Sequence, residues 1–211
     1  MRAVLFVNGV YGDYHRYEDR LRSADIVLCA DGGANQAYEW KIKVDVLLGD
    51  MDSVRPEVLA YYRQRGSRIL VFPPAKDETD TQLALRAAVE MGADEILLCG
   101  SMGGRMDHAF SNLMAGVGLA KRGIRLLHTD VDCDIWLTAS ALELSGKKGD
   151  TVSVFSLTEK AGGVTLQGFA YPLHEAELDS ENPYAVSNVL LEETGKIQVK
   201  NGVIAVVHWT E

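Results

Sequence analysis

The chain has 211 residues, 47% of them apolar, and a formal net charge of −9 at pH 7. That apolar content fills one large core or two modest ones. The acidic balance argues against nucleic acid as a partner, which would need clustered Lys and Arg to replace backbone counterions. The apolar run before Asn8 and Gly9 is too short for a signal-peptide core or a membrane span, so a cytoplasmic protein with no membrane partner is expected.

In chain order, residues 3–8, 25–30, 44–49, 68–72, 95–100 and 124–129 are short, continuously apolar runs, and helical patterns lie between them near 33–41, 56–65, 79–91 and 106–121. Strands apolar on both faces and separated by helices predict a parallel sheet covered on both sides, a Rossmann-like α/β domain. Beyond about residue 130 the helical period stops. Runs such as DIWLTA, ALELS, DTVSVFSL, GGVTLQG, FAYPL, AVSNVLLEE, KIQVK and GVIAVVHW, broken by Gly, Asn, Asp or Pro, predict an antiparallel β-sandwich. Two domains, residues 1–130 and 131–211, are expected to join near residues 129–134. Cys29, Cys99 and Cys133 have no metal-ligand spacing and read as reduced, buried thiols.

The acidic clusters of the first domain fall at strand ends, in ADGGANQAYE, GDMDS, FPPAKDETDT and GSMGGRMDH. Ligands of a parallel sheet gather at that edge, beside helix amino termini. Asp31, Asp50, Asp52, Asp77, Asp80 and Asp107 would share one rim, and such hard oxygen ligands suit Mg2+. Each piece also has a plainer reading. Asp50 and Asp52 suit a turn, Thr79 with Gln82 fits a helix capping box, Lys76 fits a solvated surface, and the pairs Gly32–Gly33 and Gly103–Gly104 suit tight turns. Their coincidence, with Lys76 and Arg105 to neutralise phosphate, points to a metal and polyphosphate site. Neither GxxxxGK[ST] nor GxGxxG occurs.

ADGGAN, LLGDMDS, KDETDT, GGRMDH and a late YPL followed by VSN resemble, in this order, the bacterial thiamine pyrophosphokinase (thiamine diphosphokinase) family over nearly the whole chain. The resemblance implies diphosphoryl transfer from ATP to the thiamine hydroxyl, giving AMP and thiamine diphosphate, with Mg2+ required and with active sites between the subunits of a homodimer. The first domain would then bind ATP and Mg2+, and the second would bind thiamine and dimerise. Asp50, Asp52, Asp77 and Asp80 would hold the metal; Lys76 and Arg105 would stabilise transferring charge; Asp107 would orient or deprotonate the hydroxyl, or serve as a further metal ligand.

Nucleotide or cofactor contacts are expected from Asp31, Gly32, Gly33, Asn35, Lys76, Thr79, Gly103, Gly104 and His108, and thiamine contacts from Ser187 and Asn188. Adjacent strand residues face opposite ways, so Ser187 and Asn188 reach one ligand together only where a turn bends the chain, and a purely local turn is the plainer reading. Trp136, Tyr184 and Trp209 suit either a cationic thiazolium or the core. Val189 and Leu190 stand where the family commonly has an acidic and an aromatic residue. Two rival readings are a haloacid dehalogenase-like phosphatase, because DMDSV follows an apolar strand, and a metal- or ligand-binding protein without catalysis.

Overall fold

Continuous burial decides four of the first five strands. β1 (Arg2–Phe6), β2 (Ile26–Ala30) and β5 (Glu95–Cys99) each bury their last four residues, β3 (Val46–Gly49) buries all four, and β4 (Arg68–Val71) is partly exposed. They pair in parallel in the order β5-β1-β2-β3-β4, which places the least buried strand at the outside of the run. The structure is a computed structural model that describes residues 1–75 and 77–210. Lys76, expected among the phosphate-neutralising cations, lies outside the described residues.

The connections carry α1 (His15–Arg22), α2 (Gly33–Glu39), α3 (Pro56–Gln64) and α4 (Asp80–Glu90), and α5 (Met106–Lys121) and β6 (Arg125–Thr129) follow β5. Pro56 opens α3, where its missing N–H would have had no partner anyway. Thr79 caps α4 in a full capping box: its hydroxyl accepts from the Gln82 N–H, and Gln82 Oε1 accepts from the Thr79 N–H. Helix α1 has no counterpart in the sequence pattern. Its eight residues, HRYEDRLR, bury Tyr17 alone and so carry almost no apolar period.

Two compact units result, residues 1–112 with 128–131, and residues 113–127 with 132 onward. In the second, β7 (Cys133–Thr138), β9 (Thr151–Ser156), β12 (Asn188–Val189) and β14 (Ile204–Trp209) pair antiparallel in the order β12-β9-β14-β7. β8 (Ala141–Ser145), β10 (Lys160–Gln167), β11 (Leu173–Asp179) and β13 (Thr194–Gln198) do so in the order β11-β10-β13-β8. One apolar core joins residues of both sets, including Val152, Val154, Val206, Leu144, Leu166 and Ile197. This is the sandwich expected from the sequence.

Two runs depart from expectation. FAYPL is not a strand: only Phe169 bridges, to Leu190, and the strand begins at Leu173, just past Pro172, which cannot donate to a ladder. AVSNVLLEE shrinks to the two-residue β12, because Ser187 sits at φ +55 and breaks the extended chain.

Gly33 shows how tightly α2 seats on β1. A Cβ there would stand 2.3 Å from the Phe6 carbonyl oxygen, which is backbone and cannot swing away. Gly33→Ala is expected to lower stability by about 1–3 kcal/mol, as overpacking does, read as a lower urea midpoint; an unchanged midpoint would show that α2 shifts freely.

Candidate active site

β1 lies between β2 and β5, so chain order reverses across it, and a crevice opens at the carboxyl ends of these strands. A cleft of about 690 Å³ occupies that edge. Asn8, Gly9 and Val10 after β1, Asp31 after β2, and Asp50, Asp52 and Ser53 after β3 line it, together with Thr79, Asp80 and Thr81 at the start of α4. Ser101, Gly103, Gly104, Arg105 and His108 close the side beyond β5.

Among the described residues, Asp31, Asp50 and Asp52 gather with an oxygen of each within 4.8 Å of the others'. Two left-handed residues aim them, Asp31 at φ +44 and Met51 at φ +69. Asp tolerates this region, whereas Met pays strain there. The turn is tied locally: the Asp52 N–H donates to Asp50 Oδ1 at 3.1 Å, and Ser53 Oγ donates to Asp52 Oδ1 at 2.8 Å. Asn35 secures it from α2, donating from Nδ2 to the Ser53 carbonyl at 2.9 Å and accepting the Arg55 N–H at 3.0 Å. Asn35 therefore acts on the loop, and it is not among the residues lining the cleft.

Carboxylates this close repel one another, less strongly at the exposed Asp52, where solvent screens the charge. Asp31 is also buried, and its Oδ1 has no hydrogen-bond partner among the described residues. Burial raises its pKa above the ordinary carboxylate value, against the lowering effect of hydrogen bonds from Ser53 and Gly32. An unpartnered buried oxygen beside two more carboxylates fits a hard divalent cation such as Mg2+.

The other expected residues divide. Thr79, Asp80, Gly103, Gly104, Arg105 and His108 line the cleft, whereas Asp77 and Asp107 are exposed and outside its lining. Arg105 donates a forked pair to Asp107, Nε to Oδ1 at 3.1 Å and Nη2 to Oδ2 at 2.5 Å. That guanidinium holds the Asp107 carboxyl below its ordinary pKa, which makes it a weaker base. Packing alone requires glycine at Gly32 and Gly33: Cβ atoms there would strike the Asn8 side chain at 2.5 Å and the Phe6 carbonyl. The loop after β1 escaped sequence reading, although it too is a strand end. So did the roles of buried Ser101, Asn112 and His128: Ser101 lies within GSMGGRMDH but carries no charge to mark it, and Asn112 and His128 stand outside every motif.

In the second unit the two thiamine candidates differ. Asn188 is buried and clamps Tyr171: its Oδ1 accepts the Tyr171 N–H at 2.9 Å and its Nδ2 donates to the Tyr171 carbonyl at 2.7 Å. The same Oδ1 accepts the Val189 N–H, so both its lone pairs are used. Ser187 is exposed, and its Oγ has no partner among the described residues. Trp136 stacks on His208 against the core, while Tyr184 and Trp209 stand about half exposed.

Residues 17–128 match the thiamin pyrophosphokinase catalytic domain, and residues 141–204 match the thiamin pyrophosphokinase vitamin B1 binding domain. The chain belongs to the thiamine pyrophosphokinase family. It is 28% identical to thiamine pyrophosphokinase 1 of Oryza sativa subsp. japonica, over 89% of this chain and 78% of the relative. The thiamine pyrophosphokinase of Bacillus subtilis is 26% identical over 77% of each. In fold, the chain superposes on the Bacillus subtilis crystal structure with a TM-score of 0.87 at 21% identity, covering 100% of both chains. The Candida albicans structure gives 0.83 at 18% identity, covering 99% of this chain and 88% of that one. Membership of this family leaves the phosphatase and the non-catalytic binder unsupported. Among the described residues no helix is long and apolar enough to cross a membrane.

The raised Asp31 pKa means that its ionisation costs more in the folded chain than in the unfolded one. Metal-free stability should therefore fall as pH rises from the ordinary carboxylate value through the folded one. At neutral pH, Asp31→Asn should raise the melting temperature in EDTA and remove the increase that Mg2+ gives the parent. A variant that melts lower in EDTA, yet still responds to Mg2+, would show that Asp31 is not the strained ligand.

Proposed function

We propose that the cleft at the strand ends is where a diphosphoryl group passes from ATP to the thiamine hydroxyl, releasing AMP and thiamine diphosphate. The observation that carries this reading is the triad of Asp31, Asp50 and Asp52 around a buried, unpartnered oxygen, within a chain of the thiamine pyrophosphokinase family. Those three would hold Mg2+, with Asp80 in the same cleft as a further acid and Asp77 on the exposed segment before α4. Bound there, Mg2+ neutralises phosphoryl oxygens and helps set the in-line geometry that transfer requires.

The chain's own groups do the rest. Arg105, held in a fork by Asp107, presents its charge to the phosphoryl oxygens, and Asp107 acts through Arg105 more than as a base. Thr79 and Asp80 open α4, whose exposed N–H groups favour an anion at that end. Gly103 and Gly104 let the backbone approach a phosphate, and His108 lies beside them.

Residues 1–130 thus serve ATP and Mg2+, and residues 131–211 serve thiamine. Ser187, with its exposed hydroxyl, is the better contact for the aminopyrimidine edge, while Asn188 shapes the backbone beside it. The homodimer implied by the family draws support from Met106, Phe110 and Met114, exposed at i, i+4 and i+8 along one stripe of α5. Three buried cysteines outside any disulfide are in keeping with a cytoplasmic setting.

Incubation with ATP, Mg2+ and thiamine should yield AMP and thiamine diphosphate; release of inorganic phosphate, or no turnover, would refute the reading. Asp50→Ala and Asp52→Ala should each lose about two to four decades of rate, corresponding to roughly 3–5 kcal/mol. If both kept rates within about threefold of the parent at saturating Mg2+, the cluster would not be the reaction centre.

Ser187→Ala should raise the thiamine KM by up to about tenfold, for a lost hydrogen bond of roughly 1 kcal/mol, with the ATP KM unmoved. Asn188→Ala should instead cost about 1–3 kcal/mol of stability, since it strands the backbone groups of Tyr171. The reverse pattern, a stable Asn188→Ala with a raised thiamine KM, would exchange the two roles.

A further inference from the structure

Behind the charged rim, the cleft wall holds a neutral polar network that no step above uses. Ser101 and Asn112 line the cleft yet are almost wholly buried, and His128 on β6 is completely buried. His128 Nδ1 lies 2.8 Å from Ser101 Oγ, and Asn112 Nδ2 donates to the Ser101 carbonyl at 2.7 Å, pinning the backbone that carries the hydroxyl. The second ring nitrogen, His128 Nε2, is buried without a hydrogen-bond partner among the described residues.

Burial without a counter-charge keeps this imidazole neutral, its pKa pushed down to about 4. A neutral ring carries one N–H and one lone pair, so Nδ1 and Nε2 divide these roles. If the hydrogen were on Nε2, an N–H would be buried with nothing to receive it. With the hydrogen on Nδ1, the N–H donates to Ser101 Oγ, and only a lone pair is left bare at Nε2. Buried orphan N–H groups are rarer in folded proteins than buried acceptors left short of a partner. The Nδ1–H form is therefore the one this environment selects.

The consequence falls on Ser101. A hydroxyl that accepts from His128 keeps its own proton free and becomes a better donor, because hydrogen bonds in a chain polarise one another. Ser101 lines the cleft, where Asp31, Asp50, Asp52 and Asp80 are carboxylates that only accept and Arg105 supplies a charged donor. The geometry points to His128 as a positioning residue that, from Nδ1–H, fixes the Ser101 hydroxyl as a neutral donor to an oxygen of the bound triphosphate. This inference rests on the cleft holding the triphosphate of ATP. His128 itself touches no substrate. A donor without charge adds nothing to the cleft's charge balance, and it selects a phosphoryl oxygen, which only accepts.

The test reads MgATP binding by calorimetry in the absence of thiamine. Ser101→Ala and His128→Leu should each weaken MgATP on the order of tenfold, the scale of one lost hydrogen bond. The Ser101→Ala/His128→Leu double variant should be no weaker than either single one. His128→Asn, whose amide nitrogen replaces Nδ1, should restore binding to within about twofold of the parent. Nitrogen-15 spectra of histidine-labelled protein should show His128 protonated at Nδ1.

Parent-like MgATP binding by Ser101→Ala, losses that multiply in the double variant, or a proton on Nε2 would each overturn the inference. Should His128→Leu fail to fold, Ser101→Ala, His128→Asn and the spectra still decide it. A parent that binds MgATP but forms no AMP from thiamine would refute the proposed function and leave this inference standing. A parent that forms AMP while Ser101→Ala binds MgATP normally would do the opposite.

Discussion

Three carboxylates brought within 4.8 Å of one another are a strain on any fold, and the parallel unit is arranged around that strain. Asp31 leaves β2 and Asp50 leaves β3 on neighbouring strands, so their proximity is a consequence of strand pairing, Ala30 opposite Leu48. Closing the last distance takes left-handed backbone at Asp31 and Met51, and ties from Ser53 and Asn35 that hold the loop. Among the described residues no ion pair offsets the repulsion within the triad. This is the physical sense in which the site is prepared for a divalent ion: the unfavourable energy of the metal-free state is recovered on binding.

Around that centre the same edge sorts its polar groups by charge state. Arg105 stands at the exposed side, paired with Asp107, where solvent screens both. Deeper in the wall, Ser101, Asn112 and His128 are buried without charge, whereas the buried carboxyl of Asp31 stands in the acidic triad. Burying a charge without a partner would cost far more than burying a hydrogen-bonded hydroxyl. The division explains why charged and uncharged donors occupy different depths of one cleft.

The second unit solves a different problem. Asn188, at the start of β12, ties down the segment between β10 and β11 by giving its amide to the backbone of Tyr171, and its oxygen also accepts the Val189 N–H. That leaves the adjacent Ser187 outward, with φ +55 reversing the direction an extended strand would have imposed. Exposure of one residue of the pair is thus a result of burial of the other.

Much of this was readable from the chain alone. Apolar runs of four to six residues mark buried strands, and the loss of helical period beyond about residue 130 marks the change to antiparallel sheets. Thr79 and Gln82 announce a capping box because that motif is local, closed within four residues. The acids at strand ends were legible as a rim for the same reason, since a strand's end is a property of its own sequence. Which acids meet was not: Asp31, and not Asp77, joins Asp50 and Asp52, because convergence depends on strand order and on backbone dihedrals at Asp31 and Met51. Gly32 and Gly33 look alike in a phosphate loop and in a packing contact; the close approach of Asn8 and Phe6 is visible only in the packed chain. His128 and Ser101, 27 positions apart, form their contact solely through the tertiary fold. Local motifs are written in adjacent residues, while the direction of a side chain and its neighbours across strands exist only once the chain has packed.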